Sequence, residues 1–204
     1  MYITLRRYAG AGARADEIAR KVESGLVPIL KAAPGFRGYC AFASEDGDAA
    51  SVSIFDDRSA ATRANDAAHQ WVQTEMRDLL PDPPEIFTGE TDIAEVARER
   101  EQDAGSGQSL FVLIRKYSDL SLPPGWAQQN TVPVITGAPG FRGLYVAMAE
   151  GDSNRAAVVT LFDTRENAVR AHERIMEVIR DKGAAVAPTP PRVVMGGTII
   201  LATP

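Results

Sequence analysis

Apolar positions along the chain change their period in a fixed order, and that order occurs twice. Tyr2–Tyr8 alternates, with Ile3 and Leu5 on one side and Tyr2, Thr4, Arg6 and Tyr8 on the other, which is the period of a strand. Ile18, Val22, Leu26, Ile29 and Leu30 then recur at helical spacing, and Pro28, with no N–H to donate back to Ser24, is expected to kink that helix. Pro34-Gly35 stops it. Gly38–Ser44 and Ala50–Phe55 read as strands joined across Glu45-Asp46-Gly47-Asp48, a hairpin signal. A second helix places Ala61, Ala64, Ala68, Trp71, Val72 and Leu79 on one stripe, and a last strand covers Glu85–Thr88 and runs past a glycine towards Ile93.

The same series follows from residue 111. Phe111–Tyr117 is strand-like, a shortened helix opens near Pro123-Pro124-Gly125-Trp126, and Gly143–Ala149 with Ala156–Phe162 form a second strand pair. Ala168, Ala171, Ile175, Val178 and Ile179 stripe another helix, and Arg192–Met195 begins a strand that continues towards Leu201. The letters repeat as well as the pattern. Pro34-Gly35-Phe36-Arg37-Gly38 recurs as Pro139-Gly140-Phe141-Arg142-Gly143, Val27-Pro28-Ile29-Leu30 as Val132-Pro133-Val134-Ile135, and Phe55-Asp56-x-Arg58 as Phe162-Asp163-x-Arg165. Pro83-Pro84 and Pro190-Pro191 keep the register of the last block. A fixed internal period of this kind points to duplication of one structural unit.

Each copy reads β-α-β-β-α-β, the ferredoxin-like order, in which helices cover one face of a four-stranded antiparallel sheet. The other face of such a sheet is commonly wet and polar. Here it is apolar, and a second apolar face needs a partner, for which the other copy is the obvious choice. The expected fold class is therefore α+β, with two ferredoxin-like modules forming one intrachain barrel of the dimeric α+β type. Residues 1–94 and 110–204 are the expected halves, and residues 95–109, charged and then Gly-Ser rich, the linker.

A β-α-β-β-α-β unit with Pro-Gly-Phe-x-Gly leading into its second strand, and Phe-Asp-x-Arg entering its second helix, resembles the antibiotic biosynthesis monooxygenase-like group of the dimeric α+β barrel superfamily. The resemblance covers the whole chain, once per copy. It implies a small-molecule-binding barrel, with a cofactor-independent monooxygenase acting on an aromatic or polyketide-like compound as the first expectation. A non-catalytic barrel that sequesters a ligand or serves in assembly is the second, and a haem-binding or haem-degrading protein the third. Many relatives place a tryptophan at the end of the third strand and a histidine on the second helix. The tryptophan position is Phe162 or Asp163 here, whereas Asn167-Ala168-Val169-Arg170-Ala171-His172 keeps the histidine. Copy one has Asn65 at that position, with His69 one turn later. No catalytic role is carried over, and no cofactor is expected.

Composition narrows the chemistry. One cysteine, Cys40, excludes an intrachain disulfide and fits a reducing, cytoplasmic setting, and with two histidines it excludes a cysteine-rich zinc site. Residues 1–92 carry 10 basic and 15 acidic side chains and residues 110–204 carry 10 and 8, so neither half has the positive field that nucleic acid requires. No apolar run reaches the roughly 20 residues of a membrane span, and with no basic or apolar segment ahead of the first strand no signal peptide is expected. The expected partner is a small apolar or aromatic molecule, with further homo-oligomerisation left open.

The pocket candidates are His172, Asn65, His69, Trp71, Trp126, Arg6, Arg115, Tyr8 and Tyr117. His172 suits a general base or a metal ligand, and equally a flank residue beside a core stripe. His69 stands farther from its stripe. Trp71 lies on the core stripe, so packing competes with cavity lining. Trp126 opens a truncated helix and could cover a gap or lid a pocket. Arg6 and Arg115 alternate with Tyr8 and Tyr117; on a barrel-facing strand surface they would lie near the pseudo-twofold axis and need acidic or carbonyl partners, unless they bind an anion. The divergence of the copies at Asn65 and His172, with the shortened helix, predicts two unequal cavities, the larger in copy two. Asp56 and Asp163 are expected to cap the second helices or the turns that precede them.

Overall fold

In the computed structural model, which describes residues 1–97 and 109–204, the chain is α+β. Most of the expected linker, residues 98–108, lies outside the described residues. Two compact units form, Met1–Glu90 together with Gly196–Pro204, and Thr91–Met195. Hydrogen bonding joins the eight described strands in the order β1-β3-β2-β8-β5-β7-β6-β4, a closed antiparallel barrel.

The first unit contains β1 (Tyr2–Tyr8), α1 (Ala15–Lys21), a π turn at Val22–Leu26, α2 (Val27–Ala32), β2 (Phe36–Ala43), β3 (Ala49–Phe55), α3 (Arg58–Glu75) and the first half of β4 (Glu85–Val96). Pro28 does more than kink its helix. Its ring excludes the Ser24 carbonyl, and the helix widens by one residue just before it, with the Val27 N–H donating to Val22 five residues back. The second unit contains the end of β4, β5 (Phe111–Tyr117), two short helices α4 (Trp126–Asn130) and α5 (Val132–Thr136), β6 (Phe141–Ala149), β7 (Asp152–Phe162), α6 (Arg165–Lys182) and the first half of β8 (Arg192–Ala202). Because β4 continues to Val96, Glu95 and Val96 are strand rather than linker.

Register matches between the units. Tyr2 pairs with Phe55 and Tyr8 with Ala49 in one, Phe111 with Phe162 and Tyr117 with Ala156 in the other. Each second strand carries a bulge just after its first aromatic residue, between Phe36 and Gly38 and between Phe141 and Gly143. The repeated Pro-Gly supplies the turn before it: Gly35 and Gly140 have positive φ, and a Cβ on Gly140 would lie 1.8 Å from Asp163 Oδ1. Asp56 and Asp163 do not cap the helices that follow. They pair with Arg37 and Arg142 of the repeated motif, while Asp57 accepts from the Ala60 N–H (2.8 Å) and Thr164 from the Asn167 N–H (3.2 Å) as caps.

Helices cover one sheet face in each unit. In the first, Ala60, Ala61, Ala64 and Ala68 of α3 join Tyr2, Tyr39 and Phe55 in one core; in the second, Ala168, Ala171 and Ile175 of α6 join Phe111, Leu113 and Phe162. Alanines let α3 approach its sheet closely, and the bulkier Ile175 fills the corresponding space under α6. Ile3, Leu5, Val112 and Ile114, on the opposite strand faces, are buried as well. No helix among the described residues is long and apolar enough to cross a membrane.

Candidate functional site

Alternation along β1 decides which side chains meet the helices. Tyr2 packs under α3, so Thr4, Arg6 and Tyr8 face the helix layer too. A pocket of about 670 Å³, its mouth included, opens there between the sheet, α1, the π turn and α3. Ile18, Val22 and Leu26 wall it, and Arg6, Tyr8, Tyr39 and Ser51 supply its polar groups. Arg6 is held. Its Nη2 donates to Asn65 Oδ1 (2.7 Å), and Asn65 Nδ2 donates to Thr4 Oγ1 (2.9 Å). Burial pushes the Arg6 guanidinium below its ordinary pKa, with Tyr8 and Tyr39 opposing. Burial raises Tyr8 and Tyr39, the latter against its hydrogen bond with Ser51, so both remain protonated phenols.

The second unit repeats the pocket with different chemistry. It holds about 540 Å³, again with its mouth, between β5, β6, β7 and helices α4, α5 and α6. The positions of Tyr39 and Ser51 are taken by Leu144 and Val158, which leaves Arg115, Tyr117 and Thr131 as its polar side chains. Arg115 is 2% exposed, and its Nε has no hydrogen-bond partner. The residue in the Asn65 position is His172 and the one in the Thr4 position is Leu113, so the relay that holds Arg6 has no counterpart. His172 Nδ1 is itself buried without a partner. Burial lowers the pKa of Arg115, and Tyr117 opposes that shift. Burial and then the Arg115 charge lower His172, so its imidazole is neutral at pH 7. Burial raises Tyr117 against the pull of Arg115.

Of the sequence candidates, Arg6 and Tyr8 come together in one pocket and Arg115, Tyr117 and Trp126 in the other. Both arginines turn to the helix layer, because the strand face that carries them also carries Tyr2 and Phe111 into the helix-side cores. Asn65 and His172 act on the arginines from the helices rather than as pocket walls. His69 is exposed on α3. Trp71 packs over Gly25, where a Cβ would meet its ring at 2.5 Å, and does not line the first-unit pocket. Trp126 both lines its pocket and rests on Gly183. The two cavities are of similar size, against the expectation of unequal cavities with the larger in copy two, because α4 and α5 together still roof the second sheet where a helical turn is missing. Sequence reasoning missed Tyr39 and Ser51; they are hydrogen-bonded diagonal neighbours on β2 and β3, where Tyr39 pairs with Ser53 and Ser51 with Ala41, a relation only the register discloses. Among the described residues no group of three or more His, Cys, Asp or Glu side chains could hold a metal ion.

No protein-family model matches the chain, and no curated protein does. Solved structures do. A protein with a provisional monooxygenase assignment from Fusobacterium nucleatum subsp. nucleatum superposes with a TM-score of 0.75 at 11% identity, covering 99% of this chain and 94% of its own. An anthrone oxidase-like protein gives 0.61 at 9%, covering 99% and 92%. A mutant chlorite dismutase from Candidatus Nitrospira defluvii gives 0.61 at 11%, covering 98% and 90%. These are proteins of the dimeric α+β barrel type, and at such identities the likeness is one of fold.

Proposed function

We propose that the chain is a tandem-duplicated, small-molecule-binding barrel whose second-unit pocket takes up an aromatic or polyketide-like compound and supports its oxidation by O2 without a cofactor. The observation that carries this reading is a pocket with apolar walls around a buried arginine whose Nε has no hydrogen-bond partner. Monooxygenation without a cofactor draws both electrons from the substrate, so that one oxygen atom enters the carbon framework and the other leaves as water. The walls exclude water, and Arg115 stabilises negative charge as the substrate loses a proton to solvent at the pocket mouth. The solved relatives with monooxygenase and anthrone oxidase-like assignments are in keeping with this chemistry.

One feature favours sequestration without catalysis as a second reading: neither an imidazole nor a carboxylate lines this pocket among the described residues. A haem does not suit the donor set. No histidine lines either pocket, His69 is exposed, and burial keeps the Tyr117 phenol protonated.

The protein has two tryptophans, and Trp71 is not a pocket wall, so Trp71→Phe leaves Trp126 as a local reporter. Titration of this variant with anthrone is expected to quench Trp126 saturably, and an oxygen electrode is expected to record uptake. Quenching without uptake would favour sequestration, and no quenching would remove the pocket from consideration.

A further inference from the structure

Resting on the pocket reading above, we infer that the second-unit site selects aromatic compounds bearing a carboxylate, which Arg115 and the Tyr117 hydroxyl grip at the pocket floor. Among the described residues, Arg115 is the one charged side chain lining a mostly apolar pocket. It takes no part in the ion pairs of Arg142 with Asp163, Arg170 with Glu166 or Arg180 with Asp181, and its Nε has no acceptor. Isolating a charge in this way is costly unless something neutralises it. The protein could have neutralised it: in the first unit the same strand position is satisfied by an amide on the helix, itself anchored by a threonine. Leu113 and His172 abolish both parts of that relay. A bound carboxylate would restore them, since its two oxygens match the planar fork of a guanidinium and can accept from a phenol as well. The apolar side chains Leu122, Trp126, Ile135 and Ile179 then enclose the ring system. The first-unit pocket, its arginine occupied, takes neutral ligands instead.

The test compares 2-naphthoate with its neutral isostere 2-naphthamide, both read by Trp126 quenching in the full-length Trp71→Phe protein at pH 7.5. Naphthoate is expected to bind about tenfold or more tightly, the scale of a charge-assisted pair over a neutral one. Arg115→Met is expected to abolish that preference while leaving naphthamide within about twofold, and Arg115→Lys to keep only part of it. Since Arg115→Met removes an unpaired buried charge, folding is expected to survive, which a thermal melt verifies. Arg6→Met is expected to leave the preference intact. Equal binding of the two probes, unchanged by Arg115→Met, would overturn the carboxylate assignment while the pocket reading stood. Loss of the preference in Arg6→Met but not in Arg115→Met would also overturn it, by placing the anion in the first unit. Quenching by neither probe would remove the pocket reading and this inference with it.

Discussion

Arg6 and Arg115 stand at the same register position of matching strands, opposite Ser51 in one unit and Val158 in the other, and both look into a pocket beneath helices. One is tied down by Asn65 and Thr4; the other has His172 and Leu113 in those places. Two positions away from the arginine thus decide whether a repeated residue holds its own fold or waits for a ligand. The pockets follow suit. The first carries Tyr39 and Ser51 and is the more polar, while the second has exchanged both for aliphatic side chains.

The sharpest way to break the contrast is to make the first unit like the second. Asn65→Leu removes the acceptor of Arg6 and the donor to Thr4, and a loss of about 2–3 kcal/mol is expected, measured by urea unfolding. Arg115→Met should act with the opposite sign, stabilising by about 1–2 kcal/mol in the same assay, because nothing among the described residues balances the charge it removes. The double substitution Leu113→Thr with His172→Asn should install the first unit's relay in the second, lowering naphthoate affinity about tenfold at nearly constant stability. Calorimetric titration of naphthoate gives that result directly.

The smallest expected effect is on pH dependence. His172 has its pKa lowered in the fold, so the unfolded chain binds the proton first as pH falls. Its contribution to stability is present above the unfolded value of about 6.5 and is lost as pH drops below it towards the folded value. The thermal midpoint should therefore fall between pH 7.5 and pH 5 by more in the native protein than in His172→Asn. Equal declines would mean that other groups dominate. Asn65 cannot titrate, so no such term arises at the matching place in the first unit.

Much of this was legible from residue patterns. Period-two and helical stretches locate the strands and helices, and the repeated Pro-Gly-Phe-Arg-Gly marks a turn whose glycine must take positive φ. The alternation of Arg6 with Tyr8 and of Arg115 with Tyr117 brings each pair into one pocket. What escaped was the direction in which that face points, since both faces of β5 are apolar and periodicity alone cannot rank them. The role of Trp71 escaped for a similar reason. A stripe position names a helix face, but only the close approach of Gly25 fixes what the indole covers. The placement of Glu95 and Val96 was masked by charge: a strand that leaves one core for another reads as polar and linker-like.

The path of β8 bears on how the protein is made. Its first residues belong to the second unit, but Thr198, Ile200, Leu201 and Ala202 pair with β2 and deliver Ile200 to the first unit's core. During vectorial synthesis the first ninety residues emerge early, yet their sheet keeps an open β2 edge until the whole second unit and then residues 196–202 have left the ribosome. The amino-terminal unit is therefore the one that completes last, and for the interval of translation between them its exposed strand is a natural site for chaperone capture or for pairing with a neighbouring nascent chain.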